Sequence, residues 1–448
     1  MGFLAKDLAL NGGVPVRVTP LPPARLGGAL IGDRELASVT EVIERGRLFR
    51  FSPKTCGPGK VDELELALAG LLDRQYILCV SSGTAALTLS LSALGVGAGD
   101  IVVLPTFVWV GVANAVLSVG AVPIFVDVDR SLSLSPVGLE ACGQASAVIV
   151  PHMAGEVADI SAISELACRK GLKLIEDCAQ GLGALLNGRA VGHLGQISAY
   201  SLQDNKIIST GDGGFLATDD CEIFESIVRF HDHGAYRLSG GTFARLSSDG
   251  FGNNYRMNEM TAAIGLAQLG RLDEIVNRLH EVKHRITSET ENLTGLSLRS
   301  RIEGSNGNAT SLTFMLDNES LARNFSVAMT AEGVPVHVVW DNPRHIYHHF
   351  INALSKRILR NASAAGLDIM DPYLSPLPNK YQASEDIFRR AVRIELSPIY
   401  DENDVTDIIV AIKKVGSIVH LIEDKIPTDL SKHTLQHAES TYVKRRNL

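Results

Sequence analysis

Residues 101–126, IVVLPTFVWVGVANAVLSVGAVPIFV, contain no charged side chain, and few folds accept such a run. Its length alone permits a membrane span. Its punctuation argues against one: Pro105, Gly111, Asn114, Gly120 and Pro123 divide it into strand IVVLP, helix WVGVANAVLSVG and strand AVPIFVDV. Short, continuously apolar strands of about 4–8 residues mark a parallel sheet buried on both faces. The run is therefore read as soluble core, with no membrane segment.

The same alternation extends to either side. Tyr76–Val80 reads as a strand, SSGTAALTLSLSALG as a turn entering a helix, and ASAVIVPHMAG as a strand followed by a loop. ISAISELACRKG reads as a helix ending at Gly171, LKLIEDCAQG as the next strand, and AYSLQ and GGFLATDD as two more. Strands alternating with helices signal an α/β fold with a mostly parallel sheet and crossover helices. Residues 1–32, with NGG and TPLPP, read as an irregular N-terminal arm rather than a packed element. The helical pattern starts near Asp33 with ELASVTEVIERG, and the large domain is expected over 33–270. From residue 258 the chain reads as long and helical, with Leu272, Ile275, Val276, Leu279, Val282 and Ile286 on one stripe. That helix leads into a smaller C-terminal α+β domain at 271–422, and a polar, basic tail follows at 423–448.

Composition narrows the function. The chain has 448 residues, 45% of them hydrophobic and 21% charged, which is ordinary for a globular protein. A formal charge of −8 disfavours a nucleic-acid face and leaves small-molecule chemistry as the default. The six cysteines, Cys56, Cys79, Cys142, Cys168, Cys178 and Cys221, form no CxxC pair, which fits structural thiols in a reducing cytoplasm. MGFLAKDLALNGG lacks a basic segment leading into an apolar core, so no secretory signal is read. Lys6 stands where myristoylation requires Ser or Thr.

Open α/β sheets bind ligands at the carboxyl ends of their strands. Three polar motifs fall there. SSGTAAL, residues 81–87, is a glycine-containing turn feeding a helix, which suits an anion but also suits a plain helix cap. In LIEDCAQ, Asp177 follows an apolar strand and suits a metal ligand, a general base or the partner of a ring nitrogen; capping of a neighbouring turn is the ordinary alternative. In YSLQDNKIISTGDGG, Lys206 sits between a strand and a glycine-rich turn. A partly desolvated lysine there can attack a carbonyl, though a solvated turn lysine is the commoner case.

Taken in order, these segments resemble the DegT/DnrJ/StrS family of pyridoxal-phosphate sugar and cyclitol aminotransferases. The resemblance rests on NGGVPVR, SSGTAALTLSLSALGVGAGD, AVPIFVDVD, the H-x-x-G of PHMAG, EDCAQGLGA, YSLQDNK with GDGG, and FGNNYRMNEMTAAIGLAQLGRLDE; it fades towards DENDVTDIIVAIKKV. It implies the aspartate-aminotransferase-like fold (type I) and pyridoxal 5'-phosphate as cofactor. By that similarity Lys206 matches the cofactor-bearing lysine, and Asp177 the carboxylate facing the pyridine nitrogen. Gly83, Thr84 and Ser201 match phosphate contacts, Trp109 the aromatic stacked on the ring, and Gln180 the position near its phenolic oxygen. Asn254 matches an asparagine reaching the neighbouring subunit's phosphate, which implies a homodimer with a shared active site. His152 aligns without an assigned role. Asp212, Leu202 and Val108 depart from the usual Glu, Phe and Thr and are expected to reshape the substrate pocket. The opening NGGVPVR and TPLPP resemble members acting on keto-cyclitols, so a keto-cyclitol or keto-sugar acceptor with glutamine or glutamate as donor is expected, in biosynthesis of an aminoglycoside-like natural product.

Other readings are weaker. HEVKH, residues 280–284, satisfies the zinc-protease pattern H-E-x-x-H, but Lys283 and Arg285 crowd the cation it would hold. HDHG at 231–234 and RHIYHHF at 344–350 read as surface or substrate-pocket histidines rather than metal ligands. A nucleotide-sugar aminotransferase, an uncommon reaction on the same cofactor, or a non-catalytic relative serving as a partner subunit complete the alternatives. Retention of both Lys206 and Asp177 weighs against the last.

Overall fold

The computed structural model of the chain describes residues 3–52, 57–237, 242–247, 250–367 and 380–421. Helices α1 (Asp33–Glu44) and α2 (Lys60–Leu72) lead to strand β1 (Tyr76–Val80). Then follow α3 (Gly83–Ala93), β2 (Ile101–Pro105), α4 (Val110–Ser118), β3 (Val122–Val126), α5 (Pro136–Ala141), β4 (Ala147–Pro151), α6 (Ile160–Lys170) and β5 (Lys173–Asp177). The two-residue strands β6 (Leu185–Leu186) and β7 (Arg189–Ala190) precede β8 (Ile197–Ser201) and β9 (Gly214–Thr218).

The large sheet has the order β1-β9-β8-β5-β4-β2-β3. Neighbours from β8 to β3 run parallel, and β9 lies antiparallel to both β8 and β1. All five residues of β3, β4 and β9 are buried, as a sheet covered on both faces requires. The uncharged run thus resolves into β2, α4 and β3, as its proline and glycine punctuation predicts. Among the described residues no helix is long and apolar enough to cross a membrane.

Beyond the sheet come α7 (Cys221–Phe230), the hairpin of β10 (Ala235–Arg237) and β11 (Phe243–Leu246), α8 (Glu259–Leu269) and α9 (Leu272–Thr290). The stretch from residue 258 is therefore two helices rather than one. Gly270 is a poor helix former, and Arg271 leaves helical geometry to donate to the Leu30 carbonyl at 2.5 Å and pair with Glu35 at 3.4 Å. On α9 the predicted stripe is buried at Leu272, Ile275, Leu279, Val282 and Ile286, and Val276 is half-buried.

A second, antiparallel sheet has the order β12 (Ser297–Leu298), β14 (Ser311–Met315), β16 (Ala391–Glu395), β15 (His337–Val338). Between its strands lie β13 (Ser305–Asn306), which pairs with β6, and helices α10 (Glu319–Ala331), α11 (Tyr347–Ala364) and α12 (Gln382–Arg390); α13 (Glu402–Gly416) follows. The tail read at 423–448 lies outside the described residues.

The first thirty residues are better packed than the sequence suggested. Leu8 is fully buried, and the buried Glu332 carboxylate accepts the Ala9 and Val16 N–H groups at 2.8 and 3.0 Å while pairing with Lys414 at 2.8 Å. One carboxylate more than three hundred residues away thus fixes the arm, a link that no local pattern encodes.

Candidate active site

The turns after β1, β4, β5 and β8 meet at the carboxyl edge of the large sheet. After β1, Ser82 caps α3: its Oγ accepts the Ala85 N–H and its carbonyl the Ala86 N–H, both at 3.0 Å. The first four N–H groups of a helix lack helical partners, so those of Gly83 and Thr84 remain for an external acceptor. A side chain at residue 83 would place its Cβ 2.8 Å from that of Ser201, so only glycine lets this turn sit against the end of β8. The Ser201 hydroxyl and two helix N–H groups together make an anion cradle. Trp109, the residue before α4, is 37% exposed. A Cβ on Gly111 would lie 2.5 Å from its indole Nε1 and 3.3 Å from Thr84 Oγ1, which puts the indole beside the cradle.

Lys206 occupies the loop between β8 and β9. Its N–H donates to the Gln203 carbonyl at 2.8 Å, and its own carbonyl accepts the Gly27 N–H at 3.1 Å. Gly27 must be glycine, since a Cβ there would come within 2.7 Å of the Ile207 carbonyl oxygen. Arg25 holds Asp204 through two contacts, 2.6 and 3.1 Å. The N-terminal arm therefore buttresses the lysine loop. Burial pushes the Lys206 ammonium below the usual lysine range, and the facing Asp177 carboxylate pulls it partly back.

Asp177 is buried at the end of β5. Burial raises its carboxyl above the ordinary range, against the Ala179 N–H at 3.0 Å and the charge of Lys206. A deeply set carboxylate with this little positive compensation suits a cationic ring N–H, so the residues present fit pyridoxal 5'-phosphate: a cradle for the phosphate, an amine for the aldehyde and a carboxylate for the ring nitrogen.

Gln180 lies next to this pair in sequence. Its Oε1 accepts the Ala154 N–H at 2.8 Å, which turns its amide nitrogen towards His345 Nε2, 3.4 Å away. The His345 ring lies 5.2 Å from the Trp109 ring and 6.0 Å from Phe107. Burial pushes this imidazole down to about 3, with Arg393, Lys206 and Arg344 adding to the effect, so it is neutral at working pH. Its Nδ1 is buried without a hydrogen-bond partner. His345 is a site residue that the sequence marked only as one histidine in a histidine-rich run. It reaches Gln180 because its carbonyl and that of Arg344 accept the Val108 and Val110 N–H groups, each at 2.8 Å.

His152 is buried beneath the same edge. Its Nδ1 accepts the Ala158 N–H at 3.2 Å, which leaves the proton on Nε2 to donate to Glu176 at 3.1 Å. Glu176 also accepts N–H groups from Gly192, Leu194 and Gly195 at 2.9, 2.7 and 2.6 Å; the His152 hydrogen bond first, then the Gly195 and Gly192 N–H groups, hold its carboxyl below the usual range despite full burial. His152, Glu176 and Cys178 lie close enough to suggest a metal. Their donors and acceptors are already matched, and burial pushes the Cys178 thiol well above its usual range, so the cluster reads as a structural clamp on β5.

The remaining sequence candidates lie elsewhere. Asn254 is exposed, one residue from Tyr255, whose carbonyl accepts the Ser81 N–H at 2.8 Å. Among the described residues it makes no contact with Lys206 or Asp177. Leu202 and Val108 are fully buried, which makes them core positions, and Asp212 is exposed. In HEVKH, Glu281 pairs with Arg278 at 3.1 Å, and both histidines share a cavity with Lys283, Arg299 and Arg301, a setting that repels cations.

The profile of the DegT/DnrJ/EryC1/StrS aminotransferase family matches residues 30–413. The L-glutamine:2-deoxy-scyllo-inosose aminotransferase of Micromonospora echinospora is 31% identical over 438 residues, 91% of this chain and 97% of that protein. The GDP-perosamine synthase of Vibrio cholerae is 33% identical over 270 residues, 60% of this chain and 71% of that protein. The crystal structure of the aminotransferase TlmJ from Streptoalloteichus hindustanus superposes with a TM-score of 0.71 at 28% identity, covering 87% of this chain and 97% of that one. The architecture shared with that structure is the type I fold, and the chain belongs to the DegT/DnrJ/EryC1/StrS aminotransferase family.

Proposed function

We propose that this aminotransferase uses pyridoxal 5'-phosphate to carry an amino group from glutamine or glutamate to a keto-cyclitol or keto-sugar, in the biosynthesis of an aminoglycoside-like natural product. The observation that carries the cofactor assignment is the facing pair Lys206 and Asp177 beside the anion cradle of Gly83, Thr84 and Ser201. The substrate class is supported by the extent of likeness. The match to the inosose aminotransferase covers 91% of the chain, whereas the match to the perosamine synthase covers 60%.

The cofactor supplies an aldehyde that accepts the amine and a ring that takes up electrons as the donor's Cα–H bond breaks. The protein's residues do the rest. The Gly83 and Thr84 N–H groups with the Ser201 hydroxyl hold the phosphate, Trp109 covers the ring face, and Gln180 is oriented by Ala154 towards the phenolic side. Asp177 keeps a proton on the ring nitrogen. Lys206 Nζ, once displaced by the donor, takes the Cα proton; in the second half-reaction it delivers one to the former carbonyl carbon of the ketone.

The reading is tested by absorbance. Protein supplied with cofactor is expected to show a visible band that glutamine or glutamate bleaches and a keto-cyclitol restores. Protein that stays colourless and takes up no cofactor overturns the assignment. Recovery with nucleotide-linked keto-sugars alone moves it to the nucleotide-sugar branch.

The working unit proposed is a homodimer in which Asn254 reaches the partner's phosphate cradle. Leu48, Phe49, Phe243, Leu246 and Phe251 are large apolar side chains left exposed on one chain, as a surface covered by a second copy would be. Sedimentation at about twice the 48.1 kDa chain mass is expected; a monomer at micromolar concentration removes the shared-site proposal.

A further inference from the structure

HEVKH is not absorbed by the reaction described above. Both its histidines line a cavity of about 210 Å³ between α9, the segment from β12 to Arg301, strand β14 and the 153–156 turn. The charged and titratable groups facing it are His280, Lys283 and His284 from α9, Arg299 and Arg301 from the β12 side, and Glu156 from the turn.

The charges do not balance. Among the described residues Glu156 is the one carboxylate lining this cavity. It pairs with Lys283 on one oxygen and with Arg301 on the other, 3.3 Å away. The Arg299 guanidinium is held by the Ser131 and Met153 carbonyls and the Ser133 hydroxyl and, among the described residues, pairs with no carboxylate. Three basic side chains thus line the cavity with one carboxylate, and the charge of Asp129, outside the lining, reaches Arg299 only at a distance. The cost is visible in the two buried ones. Burial pushes Lys283 down, and it pushes Arg299 down to about 10. His280 is lowered by burial and by the Lys283 and Arg301 charges, and its Nε2 is buried without a hydrogen-bond partner. A cation site is ruled out by the same arithmetic, which disposes of zinc.

The volume holds several waters, at about 30 Å³ each, and therefore a tetrahedral oxyanion. We propose that this cavity is an anion site that binds a phosphate group, as the free ion or as a phosphomonoester, separate from the cofactor's own cradle at α3. Arg301, 46% exposed, forms its mouth, and Lys283, His280 and Arg299 line the interior. Charge-assisted hydrogen bonds from guanidinium and ammonium suit phosphate oxygens. Glu156 acts as the internal occupant that a dianion displaces or supplements. The 153–156 turn is shared with the active site, since Ala154 donates to Gln180 while Glu156 faces the cavity.

The test is calorimetric titration of inorganic phosphate into full-length protein already saturated with pyridoxal 5'-phosphate, with ionic strength held constant by chloride. One saturable phosphate per chain is expected. Arg301→Gln is expected to weaken it about tenfold by removing one charge-assisted contact, and Glu156→Gln to tighten it by a similar factor by removing the competing carboxylate. Glycerol phosphate in a parallel titration separates the two sources: equal binding assigns a phosphomonoester, and exclusion assigns the free ion. The absence of saturable binding, or binding that neither substitution moves, overturns the proposal. Should Glu156→Gln fail to fold, Arg301→Gln at the exposed mouth decides alone. The titration does not depend on turnover, so its outcome is separate from that of the proposed reaction.

Discussion

Lys206→Ala is expected to lose amino transfer by at least about 10⁴-fold, because one side chain serves as both nucleophile and proton carrier. The surroundings offer no substitute base. His345 is pushed down to about 3 and holds protons too weakly to take one from carbon. His152 is closed off by Ala158 and Glu176. The fold should survive the change, since the loop is pinned through the Lys206 backbone, which bonds Gln203 and Gly27. Thermal unfolding within a few degrees of the parent would verify that. Lys206→Arg adds a discriminating arm. It keeps a positive charge opposite Asp177 but carries no nucleophilic amine, so it should be as inactive as alanine. Transfer from glutamine within tenfold of the parent by either variant would remove Lys206 from the chemistry.

The large sheet was legible because its signals are local. Tyr76–Val80 and the strands of 101–126 are buried on both faces, so composition alone marks them and glycine or proline marks their ends. Features made by distant partners were not legible. The break between α8 and α9 depends on Arg271 reaching Leu30 and Glu35, while the apolar stripe runs on as if uninterrupted. The packing of the arm depends on Glu332. Strands β6, β7 and β13 have two residues each, too short for any period to register.

The site divides in the same way. Lys206, Asp177 and the SSGT turn stand in motifs at strand ends, where the α/β topology must gather them. His345 stands 165 residues from Gln180 and carries no motif of its own. Only the pairing of 344–346 with the 107–110 segment brings it to the indole of Trp109. Leu202 and Val108 differ in the opposite sense: adjacency to a motif suggests a pocket wall, but both side chains are fully buried in the core.

Asp177→Asn is expected to lower turnover by about 10²–10³-fold, the range seen when a preorganised electrostatic partner is removed from a reacting centre, while cofactor remains bound. Asparagine keeps the shape, and its Oδ1 can still accept the Ala179 N–H, now at 3.0 Å, so the loop after β5 has no reason to move. The lost quantity is charge. Without a carboxylate the ring nitrogen releases its proton, and the ring no longer draws electrons from the breaking Cα–H bond. The effect on Lys206 has the opposite sign. Asp177 raises the pKa of that amine, so its removal leaves Lys206 more readily neutral and, if anything, a better nucleophile. A fall in rate therefore cannot be blamed on a lysine locked in its charged form. Stopped-flow bleaching by glutamine isolates the first half-reaction and should show the whole loss, with the cofactor's dissociation constant raised far less than the rate is lowered. Bleaching within about threefold of the parent, well short of the loss expected for such a partner, would mean that the buried carboxylate at the end of β5 holds the strand and not the ring.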